Sequence, residues 1–410
     1  MNTEHRIYFE NSARMAAMDD RSVDLVVTSP PYPMIEMWDG MFYAQNPSIE
    51  RAMADNDSMA AFELMHRQLD LVWRECWRVL KEGGFACINI GDATRTVAGQ
   101  FRLYPNHGRI LSALTDLGFG PLPDILWRKQ TNAPNKFMGS GMLPAGAYVT
   151  LEHEYILIVR KGGKRVFAAA EEKKNRHRSA LFWEERNTLF SDLWMDLKGT
   201  GQKLGDSATR KRSAAYPFEA AYRLINMYSV KGDTVLDPYL GTGTTMAAAM
   251  AAGRNSVGFE IDSALADEIG GALGGIVEFA NARMAERLEK HVAFARERIK
   301  SRGPLKYRNA HYGFPVVTGQ ERELLLNDLT GVSVPAENLF EVSYDTTAQA
   351  AYCRDWHGYF QECHRGECEG KDNGAGQEKK KKGLGNADSG HGKIKAQETQ
   401  LNLFAELTIP

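Results

Sequence analysis

Two short segments carry residue types whose spacing could do chemistry. The first is Thr28-Ser29-Pro30-Pro31-Tyr32, at the end of the apolar run Val23 to Thr28. The Ser29 hydroxyl and the Pro30 carbonyl are neighbouring hydrogen-bond acceptors, and the Pro-Pro pair restricts where that carbonyl points. Such acceptors suit an exocyclic amino group on a heteroaromatic ring. That nitrogen shares its lone pair with the ring and is a poor nucleophile; holding its hydrogens favours a pyramidal, more reactive form. Tyr32 adds a flat face on which a base could stack. The plainer alternative is a Pro-rich loop that ends a strand. The second segment is Asp237-Pro238-Tyr239-Leu240-Gly241-Thr242-Gly243-Thr244-Thr245. Gly241 and Gly243 allow a tight turn and close approach of the backbone to a ligand. The run Arg254 to Phe259 follows and ends in Glu260, an acid placed to bind ribose hydroxyls in nucleotide-binding α/β folds. Together these residues point to an adenosine-containing cofactor; alone, the glycines could be a structural turn.

Strand-like and helix-like runs alternate over most of residues 1–300, which predicts an α/β fold with a mainly parallel sheet. Val23 to Thr28 reads as a buried strand stopped by the prolines. Phe62 to Leu80 has helical spacing (Leu64, Leu69, Val72, Cys76, Leu80), Gly83-Gly84 ends it, and Phe85 to Ile90 is the next strand. Further strands are predicted at Ile125–Trp127, Tyr155–Val159, Thr234–Leu236 and Asn255–Phe259, with a helix at Thr245–Ala252. Ala280, Met284, Leu288 and Val292 mark a helix over 276–300 that docks on the core. Ligands in such sheets sit at the carboxyl ends of the strands, where both chemical segments fall.

The pair TSPPY and DPYLGTGTT resembles the DNA amino-methyltransferases that make N4-methylcytosine or N6-methyladenine. The order, catalytic motif first, is similar to their permuted beta class. Supporting segments are Arg78 to Asp92 (RVLKEGGFACINIGD), Leu126-Trp127-Arg128-Lys129, Glu152 to Lys161 (EHEYILIVRK) and Tyr216-Pro217, so the resemblance covers roughly residues 5–300. It implies a Rossmann-like, S-adenosylmethionine-dependent methyltransferase fold with an inserted target-recognition region. It implies that Ser29, Pro30, Pro31 and Tyr32 hold the target base, that Asp237, Gly241 and Gly243 contact the methionine part of S-adenosylmethionine, and that Glu260 takes its ribose. Thr28, Tyr216, Pro217, Pro238, Thr244 and Thr245 are assigned to the same cofactor site. Glu10-Asn11 stands where the family usually has Gly-Asp, which gives Asn11 the adenine of the cofactor. A base inside duplex DNA must be flipped out to be reached; direct in-line transfer then needs no covalent enzyme nucleophile. Family usage associates Ser-Pro-Pro with cytosine N4 and Asp- or Asn-Pro-Pro more often with adenine N6. Either acceptor can serve either amino group, so the expectation is cytosine N4, with adenine N6 the alternative. An RNA or protein N-methyltransferase is a weaker reading, because those enzymes usually place the cofactor motif first. A non-enzymatic DNA-binding relic is weaker still, because Ser29, Tyr32, Gly241 and Gly243 are intact.

The 410 residues are 43% hydrophobic and 25% charged with a formal net charge of −2, so positive charge for nucleic acid has to be local. Eight Lys/Arg against two Glu lie between Arg160 and Arg178. The expected DNA contacts are Lys129, Asn132, Lys136, Arg160, Lys161, Lys203, Arg210 and Arg212, mostly within an insertion spanning 130–215. This divides the chain into a catalytic half (1–129), the insertion (130–215), a cofactor half (216–300), a C-terminal extension (301–368) and a low-complexity tail (369–410) expected to be disordered. Near its end Gln400-Leu401-Asn402-Leu403-Phe404 resembles the short peptides that bind the bacterial sliding clamp. Cys353, His357, Cys363 and Cys368 are zinc-ligand types, but their spacing matches no standard finger; reduced structural cysteines are the reading adopted and no metal is assigned. No apolar run is long enough for a bilayer, and the start of the chain has no apolar leader. The partners expected are duplex DNA, a cognate restriction endonuclease of a restriction-modification system and the clamp, with no membrane, in the cytoplasm.

Overall fold

The strands that line the chemical segments are Asn2–Tyr8 (β1), Val23–Thr28 (β2), Leu80–Ile90 (β3), Ile125–Arg128 (β4), His153–Arg160 (β5), Thr234–Asp237 (β6) and Asn255–Phe259 (β7). In the computed structural model, which describes residues 1–129, 138–197 and 216–364, they form one sheet in the order β4-β5-β3-β2-β6-β7-β1. β3, β2, β6, β7 and β1 run parallel, and β5 runs antiparallel to β3. The expected α/β class is therefore what the chain adopts. The carboxyl ends of the five parallel strands share one edge.

β2 is buried along its whole length, as expected of a mainly apolar strand with both faces covered; its one charge, Asp24, is paired with Lys81. Alternate side chains serve two layers. Leu25 and Val27 join the helices Phe218–Tyr228 (α2), Thr244–Ala252 (α3) and Ile276–Arg302 (α4) in one core. Val26, Ala86 and Ile88 join the helix Ser58–Val79 (α1) in the other. The chain thus leaves β2 and β6 toward opposite faces. These neighbours flank the switch point of the sheet, where open α/β folds hold ligands. α1 starts at Asp57, whose side chain accepts a hydrogen bond from the Ala60 amide (3.0 Å), earlier than the expected Phe62.

One expectation about organisation is corrected. The span 130–215 is not a single insertion. It contains β5, an inner strand of the sheet, and the short helices Ala170–Arg178 and Trp183–Leu189; the second is tied to α4 by Glu185–Arg287 and Glu184–His291 contacts. The C-terminal extension packs onto the same sheet. Leu329–Ala336 (β8) and Leu339–Tyr344 (β9) extend the sheet, with β9 antiparallel to β1. Among the described residues no helix is long and apolar enough to cross a membrane.

Candidate active site

The two chemical segments meet across the switch point. The Thr28 hydroxyl, at the end of β2, donates to Asp237 Oδ1, at the end of β6, at 2.6 Å. The Thr245 hydroxyl donates to Asp237 Oδ2 at 2.6 Å, and the Tyr239 amide donates to Oδ1 at 3.0 Å. Tyr216 reaches Thr245 with its own hydroxyl. All four side chains, Thr28, Tyr216, Asp237 and Thr245, are buried. Thr28, Tyr216 and Thr245 therefore act on the site by holding Asp237, not by presenting free polar groups. Burial pushes the Asp237 carboxyl up to about 6 against these hydrogen bonds. Pro217 sits just before α2 and Pro238 is buried behind the turn.

Glu260 follows β7 on the same edge. Its Oε2 accepts from the Gly241 amide at 2.8 Å and its Oε1 from the Asp262 amide at 2.9 Å. Burial raises this carboxyl as well. Among the described residues neither Asp237 nor Glu260 has an Arg, Lys or His ion-pair partner. Gly241 takes φ +54°, and a Cβ there would meet only the Tyr239 carbonyl, at 4.0 Å. The turn thus encloses open space beside two acids that lack a cation, with Gly243 and Thr244 opening α3 behind it. These acceptors fit a ligand with ribose hydroxyls and positive charge. Asn11 lies on the loop after β1 at the same edge; it is exposed, and its Oδ1 accepts from the Ala13 amide at 2.9 Å.

On the other side of the switch point Ser29, Pro30, Pro31 and Tyr32 follow β2. The Tyr32 hydroxyl donates to Glu154 Oε2 at 3.0 Å and accepts from Asn89 Nδ2 at 2.8 Å. Its proton being so engaged, the Ser29 Oγ contact at 3.2 Å is made by the serine donating; Asn89 Nδ2 also donates to Ser29 Oγ at 3.4 Å, which leaves one serine lone pair for a substrate hydrogen. Asn89 Nδ2 also reaches Glu154 Oε2 at 2.8 Å. Lys129 completes the set with its ammonium on Glu154 Oε1. Burial first, and the neighbouring Glu154 second, raise the Tyr32 hydroxyl well above the ordinary range, so it remains a donor. Gly91 permits this closeness: a Cβ there would stand 3.0 Å from the Tyr32 ring and 3.2 Å from Glu154 Cγ.

Asn89 and Glu154 were not singled out from the sequence as site residues, although both lie in segments carrying the family resemblance. Their signal was register. Asn89 is one residue before the end of β3, and β5 pairs Tyr155 with Ile90, which brings Glu154 to the same edge.

The expected DNA contacts fare differently. Lys129 is at the catalytic edge, but it is paired with Glu154. Arg160 and Lys161 are corrected. β5 runs away from the edge, and Arg160 pairs with Phe85, about 17 Å along the strand from the Tyr155–Ile90 pair. Lys161 is buried, and its ammonium donates to the carbonyls of Trp77 (2.6 Å) and Leu80 (2.8 Å), closing the end of α1. Arg165 likewise pairs with Asp233, at the start of β6, so this part of the basic cluster serves the opposite end of the sheet. Asn132, Lys136, Lys203, Arg210 and Arg212 lie outside the described residues, as do Cys368, the side chain of Cys363 and Gln400–Phe404. Cys353 donates to carbonyl oxygens of His311 and Gln349, and His357 Nδ1 faces Arg308. Among the described residues these two join no common ligand group.

Comparison with known proteins agrees with this geometry. A family model described as DNA methylase, of the N6/N4 type, matches residues 23–270. The type II methyltransferase M.MthZI of Methanothermobacter thermautotrophicus is 54% identical over 327 residues, covering 80% of this chain and 91% of that protein. The type II methyltransferase M.MjaI of Methanocaldococcus jannaschii is 48% identical over 276 residues, covering 65% of this chain and 89% of that protein. Among solved structures, a protein from Thermus thermophilus assigned as a DNA modification methylase, in complex with S-adenosyl-L-methionine, is 31% identical with a TM-score of 0.52. The match covers 67% of this chain and 96% of that one.

Proposed function

From the premise that the chain belongs to the N6/N4 DNA methylase family, we propose that it transfers a methyl group to cytosine N4 in duplex DNA, as the modification enzyme of a type II restriction-modification pair in the cytoplasm. The fold is the α/β fold of S-adenosylmethionine-dependent DNA methyltransferases, and S-adenosylmethionine is the cofactor. When bound, it supplies a methyl group on a sulfonium and carries an ammonium. The observation that carries the reading is the Thr28–Asp237 bond, which joins the serine loop to the acid-lined turn across the switch point.

Each half has a task. Asp237 and Glu260 provide the two uncompensated acids, Asp237 toward the methionine ammonium and Glu260 toward the ribose. Gly241 and Gly243 let the backbone close on the ligand, and Asn11 takes its adenine. A flipped cytosine stacks on Tyr32, whose ring is fixed through its hydroxyl. The Ser29 oxygen and the Pro30 carbonyl accept the two hydrogens of the amino group and turn its lone pair toward the methyl. As the N–C bond forms, the nitrogen must lose one hydrogen. Ser29 Oγ, the Tyr32 hydroxyl and Glu154 Oε2 form a line of contacts at 3.2 and 3.0 Å. The proton passes to Ser29 while the serine proton moves to Tyr32 and the tyrosine proton to Glu154. Lys129 and Asn89 hold Glu154 for that step. Serine at the head of the loop supports cytosine over adenine.

The test is Ser29→Ala under single-turnover conditions, with cofactor affinity measured separately. The expected result is a large fall in the transfer rate, on the order of a hundredfold, with cofactor affinity nearly unchanged. Full transfer by Ser29→Ala would remove the assigned role of the loop.

A further inference from the structure

Two hairpins adjoin the strand ends that carry Asn89 and Glu154, the two residues bonded to the Tyr32 hydroxyl. The first, Ala93–Val97 with Gln100–Tyr104, starts four residues after Asn89. The second, Met138–Gly139 with Ala147–Tyr148, ends six residues before Glu154. They touch through Phe101 and Tyr148, whose rings stack with centroids 4.9 Å apart and planes 12° apart. The stack is not buried: Phe101 is 39% and Tyr148 52% exposed. Leu103 on the first hairpin, and Met142, Leu143 and Val149 on or next to the second, are exposed as well. Exposed apolar side chains gathered in one place mark a contact surface.

The charges around the stack select the partner. Residues 93–104 contain Arg95 and Arg102 and no acid, and residues 138–149 contain no charged side chain. Arg95 is held by Asp39 through two hydrogen bonds of 2.9 and 2.7 Å, which braces the hairpin, while Arg102 is exposed. Two acids, Asp39 and Glu36, face Arg95 and balance its charge; apolar rings with the exposed positive charge of Arg102 suit stacked bases flanked by phosphates.

We propose that Phe101 and Tyr148 form a wedge that enters the base stack of duplex DNA and fills the gap left when the target base swings into the Tyr32 pocket. The inference rests on the base-flipping reading of the site and extends it to a second surface. Removing a base from the helix breaks its pairing and stacking; an aromatic pair in the vacated position replaces part of that stacking. Unlike Ser29 and Tyr32, the wedge acts only on a base that starts paired.

That difference defines the test. The substrate is a duplex carrying a site the wild-type protein methylates, mapped beforehand on unmodified genomic DNA. A second duplex has the same target base opposite an abasic position, so that it begins unpaired. The readout is the ratio of single-turnover rates on the paired and the unpaired duplex. Phe101→Ala and Tyr148→Ala are each expected to lower that ratio roughly tenfold, the scale of one lost base-aromatic stack. Phe101→Trp keeps an aromatic face and is expected to preserve it. An unchanged ratio in both alanine variants overturns the wedge. So does a change in oligomeric state in Phe101→Ala, which would make the patch a contact between copies of this chain. If the mapping on genomic DNA finds no methylated site, the site reading falls and the wedge with it; methylation of the unpaired duplex alone by both alanine variants supports it most strongly.

Discussion

Asp237→Asn should make the protein more stable and a poorer enzyme. Asp237 is buried, carries three hydrogen bonds and has no cationic partner among the described residues. Its carboxyl rises from 3.8 to about 6. A folded-state value above the unfolded one means that the folded chain binds the proton more tightly. Stability contributed by this group is therefore lost as pH rises through that window and is absent at neutral pH. The rise corresponds to about 3 kcal/mol. Asparagine removes that penalty. It must turn its NH2 group toward one threonine hydroxyl, at a cost of about 1 kcal/mol, and Thr245 has the Val27 carbonyl at 3.4 Å as an alternative acceptor. The ligand-free variant should gain about 2 kcal/mol, a rise of a few degrees in Tm. S-adenosylmethionine, deprived of a buried counter-charge worth about 2–5 kcal/mol, should bind roughly thirtyfold more weakly or worse. Thermal unfolding of the free protein and calorimetric titration with the cofactor measure both signs. A lower Tm together with unchanged affinity would refute the reasoning.

The same carboxyl predicts a pH dependence. Below about pH 6 it must shed a proton before facing an ammonium, so cofactor affinity should fall by up to tenfold per unit; an affinity flat from pH 5 to 7 would contradict this. Glu154→Gln removes the end of the proton path and the partner of Lys129, and should slow single-turnover transfer by about a hundredfold or more while cofactor affinity holds. An unaltered rate would exclude the path. Lys161→Met should cost about 1–3 kcal/mol of stability by uncapping α1, with DNA affinity and its salt dependence unchanged. A salt slope reduced by about one would return Lys161 to the DNA.

Both halves of the site were legible because their local signals are strong. A proline pair stops a buried strand, and two glycines join a strand to a helix; neither depends on distant contacts. The strands of the sheet were legible for the same reason, since a run such as Val23 to Thr28 is mostly apolar and ends at a proline pair. Helix starts were less so. The run to Leu80 was dated from its first large apolar residue, whereas the capping Asp57 begins the helix. Glu154 was missed as a site residue because its role depends on how β5 pairs with β3, a long-range register that spacing does not reveal. The same register misled the reading of Arg160 and Lys161. They follow Glu154 closely in the chain, but an antiparallel strand carries them to the far end of the sheet. A charge cluster reports composition; the strand direction decides where it points.

The most direct test of the account is to incubate the purified protein with S-adenosylmethionine and unmodified genomic DNA, digest the DNA to nucleosides and identify the product by mass spectrometry. The account predicts N4-methylcytosine. N6-methyladenine would contradict the assignment built on Ser29, and the absence of any methylated nucleoside would contradict the site as a whole.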